Sequence, residues 1–177
     1  MQTGCTGVSH NRVGEFLRKA ALTIRPEKDH MQVLMKFLHT AAAIVWLGGI
    51  VFMLYCLRPA AGSLPPPQRL PLIVQVLRHF FWLVWASIAI LLVTGLGMLL
   101  AVGMKNAPIG WHLMLGIGIV MFALFGHLYF GPFRRLKTAV VAADWPEGGR
   151  RVGQIAMLAT VNLALGAAAI AAVILLV

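Results

Sequence analysis

Four of the six histidines in this chain, His39, His79, His112 and His127, fall in or at the edge of long apolar stretches, in a sequence that is 60% hydrophobic. An ionisable side chain at membrane depth is costly unless it has a partner or a ligand. Imidazole is also a common donor to transition metals and haem iron. The placement points to a metal or haem site inside a helical bundle. Met31, Met35 and His39 follow one another at four-residue steps and form one stripe down a helix. Thioether and imidazole donors together suit Cu(I), a soft ion. The plainer reading is that methionine fills gaps or faces lipid, and that histidine at a headgroup boundary snorkels.

The order of the apolar stretches sorts the histidines into two pairs. His39, early in the first stretch, and His112, opening the third, share the N-terminal side; His79 and His127 share the other. His112 and His127 are separated by a rise of about 22 Å and a turn of about 60°. Such an arrangement can hold haem b between two imidazoles at either end. Ala43, Gly116 and Gly131 follow His39, His112 and His127 by one turn and would admit a flat ring, whereas Leu83 after His79 would not. Met98, Met104 and Met114 reach the same end as His39, although Met114 sits about 200° from His112 and cannot share an ion with it on an ideal helix. Three readings stay open. Cu(I) is held by His39, His112, Met31 and Met35; haem b is held by His39 and His112, with His127 as a further ligand; or the histidines only tie helices together. Trp46, on the face of His39, would wall a pocket or simply pack. Thr94 and Asn162 are expected to hydrogen-bond across helices.

These residues need helices to position them. Only 11% of the 177 residues are charged, against roughly 25% in a soluble domain. The long apolar stretches must satisfy their own backbone in lipid, and they are too long for barrel strands. The expected fold is an all-α integral membrane protein with four transmembrane helices in an up-down-up-down bundle. The spans cover about 33–57, 78–102, 109–130 and 152–177. Arg58-Pro59 and Gly131-Pro132 read as stops, Pro65-Pro66-Pro67 and Asn106-Ala107-Pro108 as connections, and Asp144 as the cap of a helix that Pro146 begins. Small residues, among them Gly48, Gly49, Gly95, Gly97, Gly116, Gly118 and Gly166, mark expected close contacts between helices. A basic tail, 1–30, precedes this membrane domain, 31–177. In the tail Val13, Phe16, Leu17, Ala20, Ala21 and Ile24 follow helical spacing, as in an interfacial amphipathic helix. The alternative is a leader or a misplaced start, since Met31 and Met35 are credible starts.

The net charge of +10 comes from 15 Lys+Arg against 5 Asp+Glu. The basic residues flank the spans, so their expected partner is the lipid headgroup and not nucleic acid. Counted from Met31, the N-terminal side carries far fewer basic residues than the other, and the short Arg134–Arg151 loop is expected on the cytoplasmic side, with the N-terminus periplasmic. Cys5 and Cys56 lie at opposite ends of a long helix, too far apart to be bridged. No carboxylate lies within a span, and no Ser-His-Asp set or phosphate loop is visible, so hydrolytic chemistry is not expected. A narrow four-helix bundle leaves little room for a transport path, and a homodimer would supply one.

The residues also resemble a known family. Phe37-Leu38-His39-Thr40-Ala41-Ala42-Ala43, Trp46-Leu47-Gly48-Gly49, Leu57-Arg58-Pro59, Arg78-His79-Phe80-Phe81, Thr94-Gly95 and His127-Leu128-Tyr129-Phe130, in that order, resemble the short four-helix members of the copper-resistance D (CopD) family. Arg134-Arg135-Leu136, Asp144-Trp145-Pro146 and Asn162-Leu163 extend the likeness. The resemblance covers about residues 33–170 and implies copper binding, uptake or tolerance in a bacterial inner membrane. It favours His39 as a ligand, then His112 and His127, and departs at His79, where Arg would be the commoner residue. The chain is also similar to the membrane protoporphyrinogen oxidase in the regions of His39, Trp111-His112 and His127. That enzyme is expected to carry a Lys in its third helix, and residues 109–133 contain none.

Overall fold

The computed structural model describes residues 8–176, with the side chains of 14, 15 and 30–176. The expected amphipathic face of Val13–Ile24 lies outside the described side chains, and Cys5 lies outside the described residues.

Helix α1 runs Val8–Phe52, so the backbone from residue 8 onward belongs to the same helix as the first apolar stretch. A π-helical turn, Met53–Leu57, leads into the short α2, Arg58–Ala61. Helix α3 spans Pro66–Val102 and α4 spans Ile109–Leu128. A second π-helical turn, Tyr129–Phe133, leads into α5, Arg134–Val141, and α6 covers Trp145–Leu175. Four helical stretches, His30–Ala61, Pro66–Val102, Ile109–Val141 and Trp145–Leu175, are long and apolar enough to cross a membrane. The protein is all-helical among its described residues.

Pro59 and Pro132 do not end their helices. A proline lacks the N–H that bonds one turn back, and its ring collides with the carbonyl there. Here each proline lies in or just after a π-helical turn, whose wider ladder takes up the extra residue. Both helices therefore continue past the apparent stops at Leu57 and Phe130, to Ala61 and Val141.

The start of α6 follows the sequence closely. Asp144 is its N-cap and its side chain accepts the Glu147 backbone N–H at 3.0 Å, which satisfies one of the free donors of the first turn. The end of α5 just before it is a Schellman closure: the Asp144 N–H bonds Ala139 O at 2.9 Å and the Ala143 N–H bonds Val140 O at 3.2 Å. Ala143 takes a φ of 55° there, a position that glycine normally fills.

Contacts set the helix directions. Met35 and His39 of α1 lie against Gly97 and Gly95 of α3, while Gly49 meets Phe80, so α1 and α3 run oppositely. Gly110 at the start of α4 abuts the carbonyls of Ala172 and Leu176 at the end of α6, so this pair does too. Leu47 packs on Gly166 and ties α1 to α6. The core lies toward the α2 end and is rich in rings. Phe81 meets Phe125 and Phe133 edge-on at 5.4 and 4.8 Å, and Trp46 stacks on Phe122 at 5.7 Å. Of the expected close contacts, Gly49, Gly95, Gly97 and Gly166 take part, whereas a Cβ on Gly48, Gly116 or Gly118 would meet nothing within 4 Å.

Candidate metal centre

The His39 ring is the most constrained of the four imidazoles. It is half-buried and turned toward α3, where its Nδ1 lies 2.9 Å from the Thr94 hydroxyl. Thr94 is itself buried and donates its only hydroxyl hydrogen to Ile90 O at 2.6 Å. The hydroxyl can therefore only accept from His39, and the ring proton sits on Nδ1. That leaves the Nε2 lone pair unengaged among the described residues. A carbonyl-anchored or hydroxyl-anchored Nδ1–H fixes both tautomer and ring orientation in metal-binding histidines.

Two glycines make room for this arrangement. A Cβ on Gly95 would lie 3.1 Å from Cε1 of His39, and one on Gly97 would lie 3.4 Å from both Sδ and Cε of Met35. The α3 segment Thr94-Gly95-Leu96-Gly97 thus forms a niche for an imidazole and a thioether presented one turn apart by α1. The stripe of Met35 and His39 was legible in the sequence; its counterpart on α3 was not joined to it. The signal was present as a small-residue pair beside a lone hydroxyl, but matching it to α1 requires the helix register. Met31, a turn earlier, is 53% exposed.

His112 lies at the same end. Leu47 sits level with Gly166, and Gly110 lies level with the last turn of α6; at about 1.5 Å per residue, His39 and His112 fall within about one helical turn of each other in depth. No hydrogen bond joins the two rings. His112 instead turns back on its own helix, with Nδ1 3.2 Å from Pro108 O, a carbonyl that can only accept. Its Nε2 is likewise left unengaged among the described residues. Met98 and Met114 are half-buried and Met104 is exposed.

The other pair is placed differently. His79 is exposed and donates Nδ1–H to Gln75 O at 2.9 Å, within its own helix. His127 is exposed, with its ring edge over Gly131. Trp46 packs in the core. Among the described residues, no group of three or more His, Cys, Asp and Glu side chains gathers as a ready metal cluster.

The sequence profile of a family, Copper resistance protein D, matches residues 74–176. More than half of the chain is covered, and the chain belongs to this family. With its four membrane-spanning-length helices it is a multi-pass membrane protein of the copper-resistance class. His79, His112 and His127 fall inside the matched segment, and Met31, Met35 and His39 precede it. Neither the curated proteins nor the solved structures gave a match.

Proposed function

We propose that this protein binds Cu(I) at the N-terminal ends of its first and third apolar helices, with His39 Nε2 and Met35 Sδ as the first two donors. The observation that carries this reading is the locked His39 ring. Thr94 consumes Nδ1–H, leaves Nε2 free, and sets the ring one turn from a thioether over Gly97. His112, on α4 at nearly the same depth and also with Nε2 unengaged, completes the set, and Met31 is an outer landing ligand. Two imidazoles and one thioether suit a soft monovalent ion that accepts low coordination numbers. Membership of the copper-resistance family supports the choice of metal.

In this reading the ion is cargo, handed into or across the bacterial inner membrane from the periplasmic side. The basic Arg134–Arg151 loop, held to the cytoplasm by the positive-inside tendency, supports that orientation. Four crossings return the chain to the N-terminal side, so a reporter fused after Val177 should give a periplasmic signal, and a cytoplasmic signal would reverse the orientation.

The direct test is metal retention. Protein purified in detergent is loaded anaerobically with Cu(I), desalted against a chelator, and assayed for copper alongside His39→Ala. Retention of about one Cu(I) per chain by the wild type only is the expected result. A Soret band in the wild-type protein, lost in His39→Ala, would instead establish haem b and remove the copper reading. Equal retention by both proteins would remove His39 from the site.

A further inference from the structure

Opposite the His39 end, where α2 gives way to α3 and α6 begins, a crevice of about 480 Å³ opens. Its walls include Leu54, Arg58, Arg69, Ile73, Gly149 and Gly153. The volume is in the range of small-ligand sites, roughly 300–1,000 Å³. Two observations give it a definite chemistry.

The first is unneutralised positive charge. Arg58 and Arg69 both line the crevice, and neither forms an ion pair among the described residues. The nearest carboxylates in the chain at this end are already engaged: Glu147 pairs with Arg150 and Arg151, and Asp144 caps α6. The second is the shape of the opposite wall. Gly149 and Gly153 stand one turn apart on α6, and a Cβ on either would meet nothing within 4 Å, so the space beside them is open to an occupant. The floor is apolar. Leu54, Ile73 and Val152 line the crevice and also a narrower cavity of about 60 Å³ that reaches inward as far as Asn162.

We propose that this crevice binds a phosphate-bearing anion, with Arg58 and Arg69 as the paired donors to its oxygens. The planar guanidinium matches phosphate geometry two bonds at a time. Basic pockets between membrane helices recognise anionic lipid headgroups by the same contacts. The polar mouth over an apolar floor fits a phospholipid better than free phosphate, and the experiment separates the two sources.

Delipidated protein in neutral detergent is titrated with phosphatidylglycerol, with zwitterionic phosphatidylcholine and with inorganic phosphate, and bound copies are counted by native mass spectrometry. Phosphatidylglycerol is expected to bind and phosphatidylcholine to bind far less. The double variant R58Q/R69Q should weaken phosphatidylglycerol at least about tenfold, as expected for loss of two charge-assisted contacts. The control R134Q/R135Q removes two exposed charges outside the crevice and should change binding less than about twofold. Gly149→Leu fills the crevice and leaves every charge in place, and it should lose binding as R58Q/R69Q does. Displacement of the lipid by millimolar phosphate would identify free phosphate as the ligand, and resistance to it would identify the headgroup. Equal losses in the two double variants, undiminished binding in R58Q/R69Q, or no binding of either anion by the wild type would overturn the proposal.

Discussion

Around His39 the helices approach through glycines and a single hydroxyl, whereas around Phe81 they approach through rings. At the first end, Gly95 and Gly97 leave a niche that an imidazole and a thioether occupy with their donor atoms unspent. At the second, Phe81 touches Phe125, Tyr129 and Phe133, and Trp85 and Trp46 close on Phe125. The ring-packed end supplies most of the apolar burial that holds the four helices in register. The niche contributes little burial of its own. Its geometry is inherited from the register that the rings impose. Affinity for a metal and stability of the bundle should therefore respond to different substitutions.

The largest separation is expected between histidines of the two ends. His39→Ala should lower Cu(I) affinity by about 100-fold or more, since a ligand loss should exceed the 10–100-fold typical of losing an outer-shell partner. His79→Ala, at an exposed ring bonded only to its own helix, should leave affinity within about twofold. Chelator competition on both variants measures this, and parity between them would dissolve the distinction between the ends. Thr94→Val keeps the shape of the niche and removes the acceptor of His39 Nδ1–H; about a tenfold loss of Cu(I) affinity is expected. Its thermal unfolding in detergent should move little, because the bond removed is one partly buried contact.

Substitutions at the packed end should do the reverse. A Cβ on Gly49 would overlap the Phe80 ring, so Gly49→Ala should destabilise the bundle by about 1–3 kcal/mol through overpacking. Its Cu(I) affinity, measured on the folded fraction, should stay near the wild-type value. If affinity falls in step with stability, the niche is not separable from the core. Smaller effects are expected where α5 meets α6. Asp144→Ala removes the cap bond to Glu147 and should cost about 1 kcal/mol. Ala143→Gly relieves a residue held at φ 55° and should stabilise by roughly 0.5–1 kcal/mol. Unfolding of the purified variants reads both.

The pattern of what was legible in the sequence follows the range over which each feature is decided. The Asp144 cap is settled within four residues, and it reads directly from Asp144-Trp145-Pro146-Glu147. The helical class and the four apolar stretches are settled by hydropathy over a bilayer-length window. Pro59 and Pro132 each read locally as a stop, whereas in the fold each lies in or just after a π-helical turn and its helix continues. The partnership of His39 with Thr94 spans 55 residues. Both residues were visible as embedded polar groups, but only the register of α1 on α3 joins them. Gly116 shows the converse: a small residue reads locally as a close contact between helices, and a Cβ there would meet nothing within 4 Å.

The central claim is that one sulfur and at least one imidazole from the His39 end hold Cu(I). X-ray absorption at the copper edge, on protein loaded with one Cu(I) per chain, tests it most directly. The account predicts a low-coordinate Cu(I) site with mixed sulfur and imidazole scattering, the sulfur shell vanishing in Met35→Leu and the imidazole shell weakening in His39→Ala. A site with nitrogen and oxygen scattering only, or a spectrum unchanged in both variants, would contradict it.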